Sequence, residues 1–303
     1  MVIPWPTMRI ASVPWITAVA GLAALTLGVP TGCSKSGGSD GKPGGKTLRL
    51  SMIPTTDPGK MARESAPLVA YLEGATGAKV ELTVPLNYAA VVEAFGADKV
   101  DIAYFGGFTY VQARKRFGAE PLVQRERDQA FHSLFLTQAD ASIGSLADLQ
   151  GKSFAFGDVN STSGHLMPEY YMRAAKVDLD VIGKAIYTGG HDATALAVVN
   201  KKVDAGALDE AVFGRLTKDG KIDPTKVKVF YTTPAFFDYV WAARKALDPQ
   251  LAEAFQKAML ALDPANPQHK PVLDLLSASK YVVAQDASYD RLREAATTAG
   301  LLK

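Results

Sequence analysis

Two stretches of this chain repeat one unit. The segments 89-AAVVEAFGADKVDIAYFGG-107 and 193-ATALAVVNKKVDAGALDE-210 each run through an apolar helical period, a short break, Lys-Val-Asp and a small or apolar strand ending in a polar loop. Any α/β unit has this outline, and Lys-Val-Asp alone is a short match. Agreement of helix, break and strand in order and length favours a structural echo. Such an echo predicts two similar lobes, each aiming a strand's carboxyl end at a common cleft, which is where open α/β sheets bind ligands.

The rest of the chain fits that plan. Strand-like runs fall at 48–53, 80–84, 101–105, 121–123, 131–137, 153–156, 185–187, 205–208, 227–231 and 239–243. Between many of them lie one-sided helical periods, such as Met61, Leu68, Val69 and Leu72. Strands alternating with helices predict an α/β fold with mostly parallel sheets. The repeat sets the first lobe at 47–138 plus 239–303 and the second at 142–232. Hinge crossings then fall at 139–141 and 233–238, and helices near 249–262, 269–277 and 289–299 complete the first lobe.

The N-terminus reads as an address. Arg9 precedes 10-IASVPWITAVAGLAALTLGV-29, and small residues follow, so residues 1–32 form a secretory signal. Pro30 and the modest length of the apolar run argue against a retained transmembrane helix. Met8, directly before Arg9, is an alternative start. Residues 33–46, rich in Gly, Ser and Lys, form a flexible tether. Cys33 is the only cysteine, so no intrachain disulfide exists. A buried free thiol is the bland reading of it. Its place after Thr31-Gly32, between apolar run and tether, resembles instead a lipobox whose cysteine is acylated. Lys and Arg total 33 against 31 Asp and Glu, with no basic stripe, which leaves nucleic acid without a footprint.

The stretch 157-GDVNSTSGHLMPEYY-171 is the candidate site. It joins the strand-like 154–156 to a helix whose apolar face holds Leu166, Met167, Tyr170 and Ala174. No Lys or Arg occurs between Lys152 and Arg173. At such a turn the first helical N–H groups are unpaired and the dipole's positive end points outward, a ready anion site. Plain N-capping explains one hydroxyl; it does not explain Ser161, Thr162 and Ser163 followed by Gly164. Pro168 delays regular helix and leaves that backbone freer.

His191 and Asp192 follow 188-TGG-190, again between strand and helix. Adjacent helical residues face different ways, so they are not a catalytic pair. His191 is either an anion donor or a capping histidine. Asp209 and Glu210 close a strand, and Asp238 lies in the return segment; each taken singly reads better as solvated surface. Beside an anion they make sense only if the guest carries a proton, which a carboxylate accepts. Tyr88, Tyr104, Phe105 and Phe108 are either an aromatic lid or core. Thr55 and Thr56 are a weaker echo of the hydroxyl turn. Enzymatic readings lack support, with no G-x-S-x-G elbow, H-E-x-x-H pair or phosphate-cradling G-x-x-x-x-G-K loop.

The lipobox, 101-DIAYFGGFTYVQAR-114, 156-FGDVNSTSGHLMPEYY-171, 187-YTGGHDATALAV-198 and 203-VDAGALDE-210 together resemble the phosphonate/phosphite-type solute-binding proteins of bacterial ABC importers. The likeness spans residues 47–302. Within that family, 105-FGGFTYVQAR-114 and 230-FYTTPAFFDYVW-241 are most similar to a selenate-binding subgroup. The resemblance implies a type II periplasmic-binding-protein fold, with each lobe a mixed sheet flanked by helices and two hinge crossings. It implies a monomer that closes on a phosphite, phosphonate or phosphate and hands it to a permease, with no catalysis, metal or cofactor. It places the grip on Ser161, Thr162 and Ser163, with His191, Asp238 and Tyr88 around it. Phe105 stands where the family often has tyrosine, and Asp209, or Glu210 beside it, takes the acidic or amide position. With Cys33 acylated, the protein sits at the periplasmic face of a membrane, or on the surface of a monoderm cell. Two other roles for the same fold are a selenate-type binder and the oxyanion-sensing subunit of a membrane receptor kinase.

Overall fold

The computed structural model describes residues 46–302. The signal segment, most of the tether and Cys33 lie outside the described residues. Strand β1 (Thr47–Met52) opens the first lobe, followed by α1 (Pro58–Glu64), α2 (Ala66–Thr76) and β2 (Lys79–Thr83). Helix α3 (Tyr88–Gly96) leads to β3 (Ile102–Phe105), and α4 (Gly107–Phe117) to β4 (Glu120–Arg125). The chain then crosses to β5 (Ser133–Gln138), β6 (Ser153–Phe156), α5 (Met167–Ala174), β7 (Lys184–Tyr187), α6 (His191–Val199), β8 (Ala205–Asp209), α7 (Glu210–Lys218) and β9 (Val227–Thr232). It returns as β10 (Val240–Ala243) and ends with α8 (Pro249–Leu260), α9 (Lys270–Leu275), β11 (Tyr281–Val283) and α10 (Asp290–Thr298).

The two sheets run in the orders β2-β1-β3-β10-β4-β11 and β7-β6-β8-β5-β9. In each, three parallel strands are followed by one antiparallel strand that enters directly from a crossing: β10 in the first sheet, β5 in the second. The helix-break-strand echo occupies matched places, α3–β3 in one lobe and α6–β8 in the other. Both strands are buried along their whole length and sit inside their sheets, so their residues run apolar instead of alternating.

Two expectations need correction. Parallel pairings are β1–β2, β1–β3, β6–β7 and β6–β8, while the other five ladders are antiparallel, so the sheets are mixed and not mostly parallel. The first crossing does not lie at 139–141 either. Strand β5 pairs with β8 and β9, and Ala139 N donates to Lys226 O (3.0 Å), which puts 133–141 inside the second lobe. The chain crosses at 126–132. There Phe131 and Phe236 exchange backbone bonds of 2.9 and 3.0 Å, so the two crossings run side by side.

Packing follows the strand period in the second lobe. Phe154 and Phe156 point to one face with Phe135 and Met172; Ala155 points to the other with Leu136, Val198 and Leu208. The first lobe keeps one core, from Leu50 and Phe95 through Trp241 to Phe255 and Tyr289. These cores hold the strand ends and helix starts that meet in the seam between lobes.

Candidate binding site

Four helix starts meet in that seam. Asn87 caps α3 by accepting from Ala90 N (2.9 Å), which sets Tyr88 at the first turn. Gly106 and Gly107 begin α4. Ser161 caps a single wide turn, Thr162–Leu166, by accepting from Gly164 N (3.0 Å). Gly190 precedes His191 at the head of α6. The first two starts belong to the first lobe and the last two to the second. Each brings N–H groups that its own helix leaves unpaired.

The expected hydroxyl turn lies in this seam. Ser161, Thr162 and Ser163 are each no more than 2% exposed. Thr162 Oγ1 accepts from Phe108 N (3.0 Å), a bond between lobes. Gly164 permits the close approach, because a Cβ there would lie 2.9 Å from both His191 Cε1 and Ser161 Oγ. Backbone bonds from Ser161 N to Asp158 O and from Leu166 N to Ser161 O fix the turn's shape. Regular helix begins only at Met167, with Pro168 in its first turn.

His191 has a defined role. Asp209 N donates to its Nδ1 (3.2 Å), so in the neutral ring the proton sits on Nε2, 3.4 Å from the Tyr88 hydroxyl. Burial lowers the ring's pKa against the pull of Asp209, Asp192 and Asp158, which keeps it neutral near pH 7. Burial likewise pushes Tyr88 well up, with Asp158, Asp209 and Asp238 adding to it, so both groups stay donors.

Asp238 is the unusual acid. Its Oδ1 accepts from Gly107 N (2.9 Å), while Oδ2 is buried without a partner. Burial, with the charges of Asp128 and Asp209, outweighs help from Gly107 N–H and Thr162 and raises its pKa to about 8. Asp209 goes the other way. Burial works against its charge, but His191, Arg125, the Tyr239 hydroxyl and Val212 N–H together hold its pKa below the usual value. Its Oδ1 accepts from Val212 N (2.8 Å) and its Oδ2 from Tyr239 Oη (2.7 Å). Glu210, the neighbouring alternative, lies outside this cluster and pairs with Arg127 at 3.5 Å.

Phe105 is core. Its ring meets Phe95 edge-on at 5.3 Å, while Gly107 and Phe108 beyond it supply the site's N–H groups. Tyr104 stacks on Tyr239 (5.2 Å between centroids, 9° between planes). Thr55 contributes its carbonyl, which accepts from His191 N (3.0 Å). Sequence reasoning missed the Gly107 and Phe108 N–H groups, Asp158, and Tyr239 with its support from Arg125. A glycine pair directly after a strand was the available signal for the first two.

A cavity of about 50 Å³ lies between the lobes, walled by Thr55, Tyr104, Arg125, Asp209 and Tyr239 among others. The Ser161–Ser163 turn is not on its wall but in the closed seam beside it. Within the seam, Ser163 Oγ and Asp238 Oδ2 are buried with no hydrogen-bond partner. Such atoms are costly unless something fills the place of a partner. Among the described residues, no group of three or more His, Cys, Asp or Glu side chains is arranged to hold a metal.

Two mixed sheets, paired crossings and a polar seam define a two-lobed, type II periplasmic binding protein. Residues 50–289 match the model for the periplasmic substrate-binding protein of phosphonate ABC transporters, and the chain belongs to that family. A probable phosphite-binding protein of an ABC transporter from Prochlorococcus marinus is 30% identical over 262 residues, covering 82% of this chain and 88% of that protein. A phosphate-import protein from Mycolicibacterium smegmatis is 32% identical over 271 residues, covering 84% of each. The structure of the Prochlorococcus protein with methylphosphonate superposes with a TM-score of 0.81 at 29% identity, covering 84% of this chain and 99% of that one. The chain is therefore the substrate-binding component of a phosphonate-, phosphite- or phosphate-type importer, a binding protein and not an enzyme. These relatives give the selenate subgroup no support.

Proposed function

We propose that this protein captures one small tetrahedral phosphorus oxyanion between its lobes, held by Ser161–Ser163, His191, Tyr88 and Asp238. The carrying observation is the unpaired Ser163 hydroxyl and Asp238 Oδ2 buried among helix starts. Neutral donors grip the anion's charge, and closure strengthens each bond by excluding water. The relatives' ligands, phosphite, phosphate and methylphosphonate, agree with this choice.

Asp238 makes the choice chemical. Phosphate-type groups have a second pKa near 6. Between that value and about 8, phosphite has no acidic proton left while Asp238 carries one. One proton then lies between Asp238 Oδ2 and a ligand oxygen, and a second negative charge is not forced into the seam. Nothing needs to be gained or lost on binding in that range.

Calorimetry against phosphite, methylphosphonate, phosphate, sulfate and selenate tests the reading. Tight binding of at least one phosphorus anion is expected. Binding of selenate alone, or of none, would overturn it. We also propose, from sequence, that Cys33 is acylated and anchors the protein at the periplasmic membrane face; mass spectrometry of the mature N-terminus shows a diacylated or triacylated cysteine if this holds.

A further inference from the structure

Asp209 occupies the place where the resemblance implies an acid facing the ligand, yet each of its oxygens already holds a donor of this chain. Oδ1 caps α7 through Val212 N, and Oδ2 takes the Tyr239 hydroxyl at 2.7 Å. Tyr239 directly precedes β10 of the first lobe, whereas Asp209 ends β8 of the second. Their bond spans the seam.

The first lobe aims that hydroxyl. The Tyr239 ring is stacked on Tyr104, with the Arg125 guanidinium 4.7 Å from its centroid and Phe131, on the other crossing, edge-on at 5.6 Å. Arg125 is itself fixed by Asp128 through bonds of 2.5 and 2.7 Å and by the Leu276 carbonyl. Asp128 O also accepts from Asp238 N (3.0 Å), so one buried ion pair braces both crossings. A ring held this way on both faces cannot swing to follow Asp209 when the lobes part.

We infer that Tyr239 and Asp209 form a closure latch, as positioning residues that set the closed fraction and do not touch the anion. This rests on the anion lying between the lobes. Apparent affinity is the intrinsic affinity scaled by the fraction of protein in the competent state. Removing the latch therefore weakens every anion by one factor and leaves their ratio alone. A hydrogen bond to an ionised group implies a factor of about tenfold.

The test uses Tyr239→Phe, which keeps the stacked ring, and Asp209→Asn, which keeps an oxygen for the cap. Small-angle scattering of the ligand-free proteins should show both variants more open than the parent. Calorimetry should show phosphite and methylphosphonate weakened equally, with the dependence on pH unchanged in Tyr239→Phe, whereas Asp209→Asn, which removes a charge that raises Asp238, moves the high-pH fall to lower pH. The double variant should lose no more than the worse single one. An unchanged radius with unchanged affinity overturns the latch, as does a loss confined to one anion, which would make Asp209 a ligand contact. Scattering reads the latch without ligand, so failure of the anion assignment leaves that arm decisive.

Discussion

At the scale of single residues, the site includes atoms that this chain alone does not satisfy. Ser163 Oγ is buried without a partner, so Ser163→Ala should leave the ligand-free protein as stable or more stable, by up to about 1 kcal/mol, while anion affinity falls on the order of tenfold. Thermal melts with calorimetry check both halves; a destabilised variant with full affinity would contradict the assignment. Asp238 gives a pH signature. Its pKa is raised from 3.8 unfolded to about 8 folded, so the folded state holds its proton longer. The stabilising contribution is complete below the unfolded value and is lost as pH rises through the folded one. Asp238→Asn does not titrate there, so ligand-free Asn protein should gain on the parent from pH 4 to 8, by a few kcal/mol in order of magnitude. Urea titrations along that range measure it, and a gap that does not widen would mean Asp238 is ionised throughout.

At the scale of elements, the wide turn from Thr162 to Leu166 carries the site, and Gly164 lets it approach α6. Gly164→Ala would set a methyl 2.9 Å from His191 Cε1, so the turn and helix must part. Stability should fall by about 1–3 kcal/mol and anion affinity by more than tenfold, read by urea melts and calorimetry. Full affinity would show that the turn and His191 do not act together. This element was legible because three hydroxyls and a glycine at a strand-to-helix boundary ask for more than one capping residue. Tyr239 was not, because its importance comes from Tyr104, Arg125 and Asp209, which approach it from distant parts of the chain. Phe105 was ambiguous for a related reason: an apolar ring at a strand's end fits a lid and a core equally well until Phe95 is seen against it.

For the whole molecule, the helix-break-strand echo foretold two lobes because it records local order, which neighbouring residues fix. The crossing was misplaced because a strand's sequence does not say which sheet it joins; β5 reads the same in either lobe, and its partners β8 and β9 lie some seventy residues or more ahead. Strand β11, three residues long, carries too little pattern to be seen. The closed molecule is held by bonds between lobes at Thr55, Tyr88, Phe108 and Tyr239, so under the proposed function seizing an anion and shutting the seam are one event. The proposed binding turns on the single proton shared between Asp238 and the guest. Calorimetry of phosphite from pH 5 to 10 tests it directly. Affinity should rise toward the anion's second ionisation, stay level to about pH 8, then fall about tenfold per unit as Asp238 loses its proton, and Asp238→Asn should abolish that fall. A decline that begins at the anion's own second ionisation, or persists in Asp238→Asn, would contradict the shared proton.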